Sequence, residues 1–224
     1  MRTVWVSFDT IGRDCLEAAA EVGAEIVGVV TLPGPIDPNR SGHCSFDDVA
    51  AHFDAALIET RDVNAPETLN ALRKLEPELV FVVGWSQLVH DPFIAIAREG
   101  VFGMHPTLLP RHRGRAPIPW AILSGLARTG VTLFQILDAT ADSGLIVGQR
   151  VVDIAPDETA TTLFERLASA HVRARWPAGN ARRAHTNRMT ARIIASPLVS
   201  LCTNSMTVEA AGASGTTTPL QSGQ

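Results

Sequence analysis

Short apolar runs rich in β-branched residues alternate along the chain with segments whose apolar positions recur at helical spacing. Residues 3–8 predict a first strand. Residues 14–22, rich in Ala, Glu and Leu, predict a helix closed by Gly23 at a C-terminal cap position. The strongly β-branched stretch 25–31 predicts a second strand, and 33–45 reads as a Gly/Pro/Ser loop. A short helix over 46–53 and a short strand over 56–59 follow. Pro66, at a tolerated first-turn position, opens a helix through residue 76. Residues 79–84 predict a buried strand, 92–98 a helix and 100–104 another strand. A helix over 117–126, strands over 130–137 and 145–154, and an amphipathic helix over 159–172 complete the series.

The strand-like runs are apolar throughout, as in strands covered on both faces. The chain therefore predicts an α/β fold with a doubly wound, mostly parallel sheet. The last two strands have no helix between them, which predicts a late antiparallel pair. In such sheets ligand sites gather at the carboxyl ends of strands, near a switch in strand order. Gly12 stands alone in Asp9-Thr10-Ile11-Gly12, so a dinucleotide loop of the G-x-G-x-x-G type is not supported.

After residue 172 the pattern dissolves. Residues 173–192 are arginine-rich without periodicity, 195–201 are a short apolar run, and 203–224 are rich in Thr, Ser, Gly and Ala, which predicts disorder. Charge divides at nearly the same place: 22 acidic and 12 basic residues up to Glu165, against seven arginines and one acid beyond it. We expect one domain over 1–172 and an atypical, partly disordered tail over 173–224. Translation out of an ancestral reading frame would produce such a tail.

The composition, 46% hydrophobic and 19% charged over 224 residues, is that of a chain able to bury a sizeable core. No apolar run approaches the roughly 20 residues of a membrane span. The N-terminal residues lack the features of a secretory signal. Cys15, Cys44 and Cys202 are too few and too scattered for a disulfide framework, so a reducing cytoplasm is the expected location. His43, Cys44 and His52 match no zinc spacing, and no metal is expected.

The chemistry concentrates in Gly103-Met104-His105-Pro106-Thr107-Leu108-Leu109-Pro110-Arg111-His112-Arg113-Gly114-Arg115-Ala116-Pro117. A strand ending at His105 puts an imidazole at a carboxyl edge, and Pro106 and Pro110 stop the chain continuing as regular structure. The arginines, with Gly114 to turn the loop, suit an anionic substrate such as a phosphate or nucleotide. In Asp138-Ala139-Thr140-Ala141-Asp142-Ser143-Gly144 either carboxylate is placed to reach a strand-end histidine, orient its ring and raise its basicity.

These segments, with Thr129-Gly130-Val131-Thr132 and Leu79-Val80-Phe81-Val82-Val83-Gly84-Trp85-Ser86-Gln87, resemble the folate-dependent formyltransferases over about residues 1–172. That family acts on methionyl-tRNA, glycinamide ribonucleotide and nucleotide-linked amino sugars. The resemblance implies a Rossmann-like fold and 10-formyltetrahydrofolate as cosubstrate, with His105 and Asp142 as catalytic residues. It places the cofactor against Gly84, Trp85, Ser86, Gln87, Leu88 and Asp138, and the acceptor against Thr107, Arg113, Gly114 and Arg115. In the family an Asn–His–Asp trio manages the proton of the attacking amine and stabilises the developing oxyanion. Here Gly103 stands where that asparagine would be, so an oxyanion donor is missing unless water, a backbone N–H or Thr107 replaces it. Asp138 competes with Asp142, because the turn before Asp142 is one residue longer than the family pattern.

The segments 113–120 and 84–87 look most like the amino-sugar enzymes, which favours an amine on a nucleotide-linked sugar as acceptor. A methionyl-tRNA or glycinamide ribonucleotide enzyme, or a catalytically impaired binding protein of this fold, are the alternatives. The acidic first part opposes binding of a nucleic-acid backbone, and the family suggests a homodimer.

Overall fold

The computed structural model describes residues 1–172, so the expectations for 173–224 lie outside the described residues. Strands β1 (Arg2–Val6), β2 (Glu25–Thr31) and β3 (Ala56–Glu59) alternate with helices α1 (Thr10–Glu21) and α2 (Asp47–His52). Helix α3 (Pro66–Lys74), strand β4 (Leu79–Val83), the short α4 (Asp91–Ile94) and β5 (Gly100–His105) follow. Helix α5 (Pro117–Leu123) leads to β6 (Arg128–Ile136), β7 (Leu145–Asp153) and α6 (Ala160–Val172).

The seven strands make one sheet in the order β3-β2-β1-β4-β5-β6-β7. β1 pairs in parallel with both β2 and β4, and β4 with β5. The order therefore switches between β1 and β4. The antiparallel part begins one strand earlier than the sequence pattern predicts: β6 runs against β5 as well as against β7. The connection through α5 leaves the chain at the carboxyl end of β5, where Thr132 pairs with His105, so β6 starts there and runs back along β5.

Both faces of the central strands are buried, whereas the edge strands β3 and β7 are partly exposed, and successive residues alternate between the faces. Trp5, Phe81 and Phe102 lie in register across β1, β4 and β5, with ring centroids 5.0 and 5.8 Å apart, and pack with Leu16 of α1 and Val49 of α2. Val4, Val6, Val80 and Val101 face the other way, toward Leu69 and Leu72 of α3 and Phe93 of α4. Each such side chain withdrawn from water contributes about 1.5–3 kcal/mol, which is why these runs read as continuously apolar.

Two helix boundaries differ from the sequence reading for local reasons. α1 starts four residues early because the Asp9 carboxylate accepts the Gly12 N–H at 2.8 Å and caps the first turn. α4 stops early because the N–H groups of Arg98 and Glu99 donate to Pro77 and Glu78 carbonyls, at 3.2 and 2.7 Å, instead of back along a helix.

Helix α6 packs on α1, α5, β6 and β7. Its buried His171 has Nδ1 2.7 Å from the Leu167 carbonyl, and burial pushes the imidazole down to about 4. The unfolded chain takes up a proton near the ordinary value of about 6.5. The stability His171 lends is therefore whole above that value and is lost as pH falls toward 4. We expect the melting temperature of the wild type to fall more steeply between pH 6.5 and 4 than that of His171→Leu. Parallel slopes in thermal melts across that range would refute the assignment.

Candidate active site

His105 is the last residue of β5 and only 8% exposed. Its Nδ1 lies 3.4 Å from Oδ1 of Asp142, and its Nε2 lies 3.2 Å from the carbonyl of His112. Asp142 sits in the turn between β6 and β7 with φ +47°, a conformation Asp tolerates better than most residues. Its second oxygen, Oδ2, accepts the Gly114 N–H at 2.7 Å. The arginine loop thus touches both groups through its backbone, and left-handed residues at His112 (φ +57°) and Gly114 (φ +99°) turn that backbone inward.

A neutral imidazole has one N–H and here faces two acceptors. The carboxylate carries the full charge, so the favoured tautomer places the proton on Nδ1, toward Asp142, and leaves the Nε2 lone pair as the basic position. Burial lowers the affinity of the ring for a second proton, while the Asp142 charge and the His112 carbonyl raise it, with burial prevailing. His105 is accordingly neutral near pH 7, and a proton arriving at Nε2 meets a waiting carbonyl.

The structure separates the two candidate carboxylates. Asp138 is exposed and its Oδ1 caps its own turn at Thr140 N, 2.8 Å away, whereas Asp142 is the carboxylate beside His105. Thr107 is 1% exposed, and its hydroxyl donates to the Arg111 carbonyl at 3.1 Å, so it does not stand in for the absent asparagine amide. Arg111, Arg113 and Arg115 are exposed, and among the described residues none forms an ion pair.

Phe134 was not singled out by the sequence. It pairs with Gly103 across β5 and β6, and a Cβ on Gly103 would fall 2.8 Å from Phe134 Cζ and 2.9 Å from Cε1. Gly103 and His105 share a face of β5, so the aromatic ring lies over the position beside the histidine. Only the strand register reveals this, and no local pattern carries it.

At the switch between β1 and β4, Gly84 leaves β4 with φ +65°; a Cβ there would lie 2.2 Å from Asp9 Oδ1. Burial pushes the Asp9 carboxyl up to about 6. An Asp just before a helical stretch is the N-cap signal that would have found it. Trp85 tilts against Phe8 at 5.8 Å, and its buried Nε1 has no acceptor among the described residues. Ser86 and Leu88 are exposed. The Gln87 amide is occupied, accepting from Val63 N at 3.0 Å and donating to the Arg61 carbonyl. Among the described residues no group of three His, Cys, Asp or Glu side chains is placed to hold a metal ion, and no helix is long and apolar enough to cross a membrane.

A family model described as formyl transferase matches residues 8–176. Among solved structures, phosphoribosylglycinamide formyltransferase from Bacillus halodurans is similar with a TM-score of 0.65 at 18% identity, over 87% of this chain and 95% of that one. The corresponding protein from Brucella melitensis is 27% identical, with a TM-score of 0.58 over 77% of this chain and 90% of that one. A sugar N-formyltransferase from a Shewanella species gives a TM-score of 0.58 at 18% identity, over 77% of this chain and 65% of that one.

Proposed function

The chain belongs to the formyl transferase family, and from that premise we propose that it transfers a formyl group from 10-formyltetrahydrofolate to the amine of a nucleotide-linked amino sugar. The observation that carries the reading is the His105–Asp142 pair at the carboxyl edge of the sheet, held by a loop whose arginines face solvent. With the His105 proton on Nδ1 toward Asp142, the Nε2 lone pair, which lies beside the His112 carbonyl, takes the proton that an attacking amine must lose, and that carbonyl then accepts the new N–H. The arginines supply charge for a pyrophosphate at the rim.

When bound, 10-formyltetrahydrofolate supplies a formyl carbon activated by its attachment to nitrogen. The residues at the end of β4 fit a flat, polar heterocycle: Trp85 offers a buried N–H without an acceptor, and Gly84 turns the chain with φ +65°, ahead of the exposed Ser86 and Leu88. With the Gln87 amide spent on Arg61 and Val63, that segment would recognise the ring through Trp85 and main-chain groups. The site expectations for Gly84, Trp85, Ser86, Leu88 and Asp138 toward the cofactor, and for Arg113, Gly114 and Arg115 toward the acceptor, stand as part of this proposal.

For the acceptor, the likeness of segments 113–120 and 84–87 to the amino-sugar enzymes carries the sugar reading, and Asp9 directs any acceptor phosphate to the arginine loop. The first turn of α1, at the switch point where a phosphate would be held by free N–H groups, is already capped by a carboxylate. Glycinamide ribonucleotide remains the second reading, because the match to the Bacillus halodurans structure spans 95% of that chain. Thermal-shift titration separates them. We expect 5-formyltetrahydrofolate and a UDP- or dTDP-linked amino sugar each to raise the melting temperature, and glycinamide ribonucleotide to leave it unchanged. Stabilisation by the ribonucleotide alone would reverse the acceptor assignment, and no stabilisation by any of the three would overturn the enzyme reading.

A further inference from the structure

The segment after His105 has little regular structure to hold it. Pro106 and Pro110 lack N–H groups, yet this turn must deliver the His112 carbonyl to His105 and the Gly114 N–H to Asp142. What fixes it comes from the two antiparallel strands. Thr132 of β6 pairs with His105, and Gln149 of β7 pairs with Thr132, so the three lie in one row across the sheet.

Thr132, fully buried, donates its hydroxyl to the Thr107 carbonyl at 2.7 Å and accepts the Leu109 N–H at 3.1 Å. Gln149 Nε2 spends both protons: one goes to the Leu109 carbonyl at 2.7 Å, the other to the Thr132 hydroxyl at 2.8 Å. Thr129 adds a hydroxyl to the Pro106 carbonyl at 3.3 Å. Two side chains thus satisfy the buried main chain of residues 107 and 109, and Thr107 passes the hold on to Arg111 through its own hydroxyl. An unmet buried carbonyl is costly enough that the turn would shift to find a partner.

We propose that Gln149 and Thr132 are positioning residues for the His105–Asp142 pair, acting through the 107–114 backbone rather than on substrate. This rests on the reading of His105 as the catalytic base. Gln149 sits on the edge strand β7, two strands in register from His105, and its amide is spent on the Leu109 carbonyl and the Thr132 hydroxyl. Its action is geometric: losing the latch lets the turn relax, and with it the His112 carbonyl and the Gly114 N–H. Displacements of about an ångström at a catalytic pair cost on the order of a hundredfold.

The test combines a structural and a kinetic readout on the full chain. In wild type, the His105 Cε1–H resonance should titrate below the ordinary histidine value, because burial of the ring outweighs the opposing pull of the Asp142 charge and the His112 carbonyl. In Gln149→Met we expect that titration to move up toward the ordinary value as water reaches the ring, and formyl transfer to drop about ten- to a hundredfold in kcat with KM nearly unchanged. Thr132→Val should behave alike, and Thr132→Ser, which keeps the hydroxyl, should restore both readouts. An unchanged His105 titration in Gln149→Met and Thr132→Val overturns the proposal, as does equal loss in Thr132→Ser and Thr132→Val. If Gln149→Met does not fold, the Thr132 pair decides. A shifted titration in a protein that transfers no formyl group to any acceptor upholds the latch and sinks the enzyme reading instead.

Discussion

Replacing His105 with Ala is expected to leave a folded protein that transfers formyl groups about 10²–10⁴ times more slowly. The ring ends β5 with the Asp142 carboxylate beside its Nδ1. Asp142→Asn should lose a comparable factor, even though an amide oxygen can still accept the Gly114 N–H, because the charge that selects the Nδ1 tautomer is gone. The double variant should be no slower than the slower single one, since the two groups act as a unit. The pH dependence supplies a second, signed check. Burial lowers the His105 pKa and the Asp142 charge partly restores it, so removing that charge should move the acidic limb of the rate profile to still lower pH. Formyl transfer measured against pH in wild type and in Asp142→Asn decides the matter. Full activity in His105→Ala would remove the pair from the chemistry, and a limb that moves to higher pH in Asp142→Asn would contradict the electrostatics.

The second large effect concerns Gly103. Adding the asparagine that formyltransferases carry at this position should fail as a single change and succeed as a double one. In Gly103→Asn the new side chain meets the Phe134 ring at distances no real Cβ tolerates, so the ring or the strand must move. Overpacking of that kind costs about 1–3 kcal/mol, and the amide would be pushed off any productive position. Gly103→Asn with Phe134→Ala vacates the space and lets an amide point along the same face as His105. A single well-placed donor to a developing oxyanion is worth about 10²–10³ in rate. We therefore expect formyl transfer by the double variant to exceed that of Phe134→Ala alone by about that factor, and Gly103→Asn alone to melt lower than wild type. A gain in rate in the single variant would show that Phe134 yields easily. No gain in a folded double variant would show that the chain handles the oxyanion by another donor.

Much of this architecture is legible in the sequence where the signal is local. The β2 boundaries coincide with the β-branched run because burial of most of that strand selects such residues there, and the four residues of β3 match as well although both its ends are exposed. His105 and the arginine loop stand out for a similar reason, since prolines and a glycine around a strand-end imidazole are unusual in a segment chosen for packing alone. The distinction between Asp138 and Asp142 was not legible. Both lie in one turn, and only the positive φ at 142 and the Gly114 N–H aim one carboxylate inward. Phe134, Thr132 and Gln149 were hidden for a stronger reason. Their meaning depends on the register of β5 against β6 and of β6 against β7, and a slip of one residue would send each side chain to the other face. Asp9 lies between these cases: its capping role is a local signal, whereas its proximity to Gly84 follows from the strand order.

The loop over the His105–Asp142 pair holds it with a carbonyl from residue 112 and an N–H from residue 114, never with a side chain. Any sequence that keeps the left-handed turns at these two positions preserves that hold, which favours Gly, Asn or Asp there and leaves residues 111, 113 and 115 unconstrained by it. If the arginines hold the acceptor and the pair moves the proton, as proposed, mutational drift can rewrite the exposed arginines, and with them the charge and reach of the acceptor, without disturbing proton transfer. Descendants of such a chain can change clientele while keeping their chemistry, and a library randomised at 111, 113 and 115 with 112 and 114 fixed is the natural starting point for redirecting it.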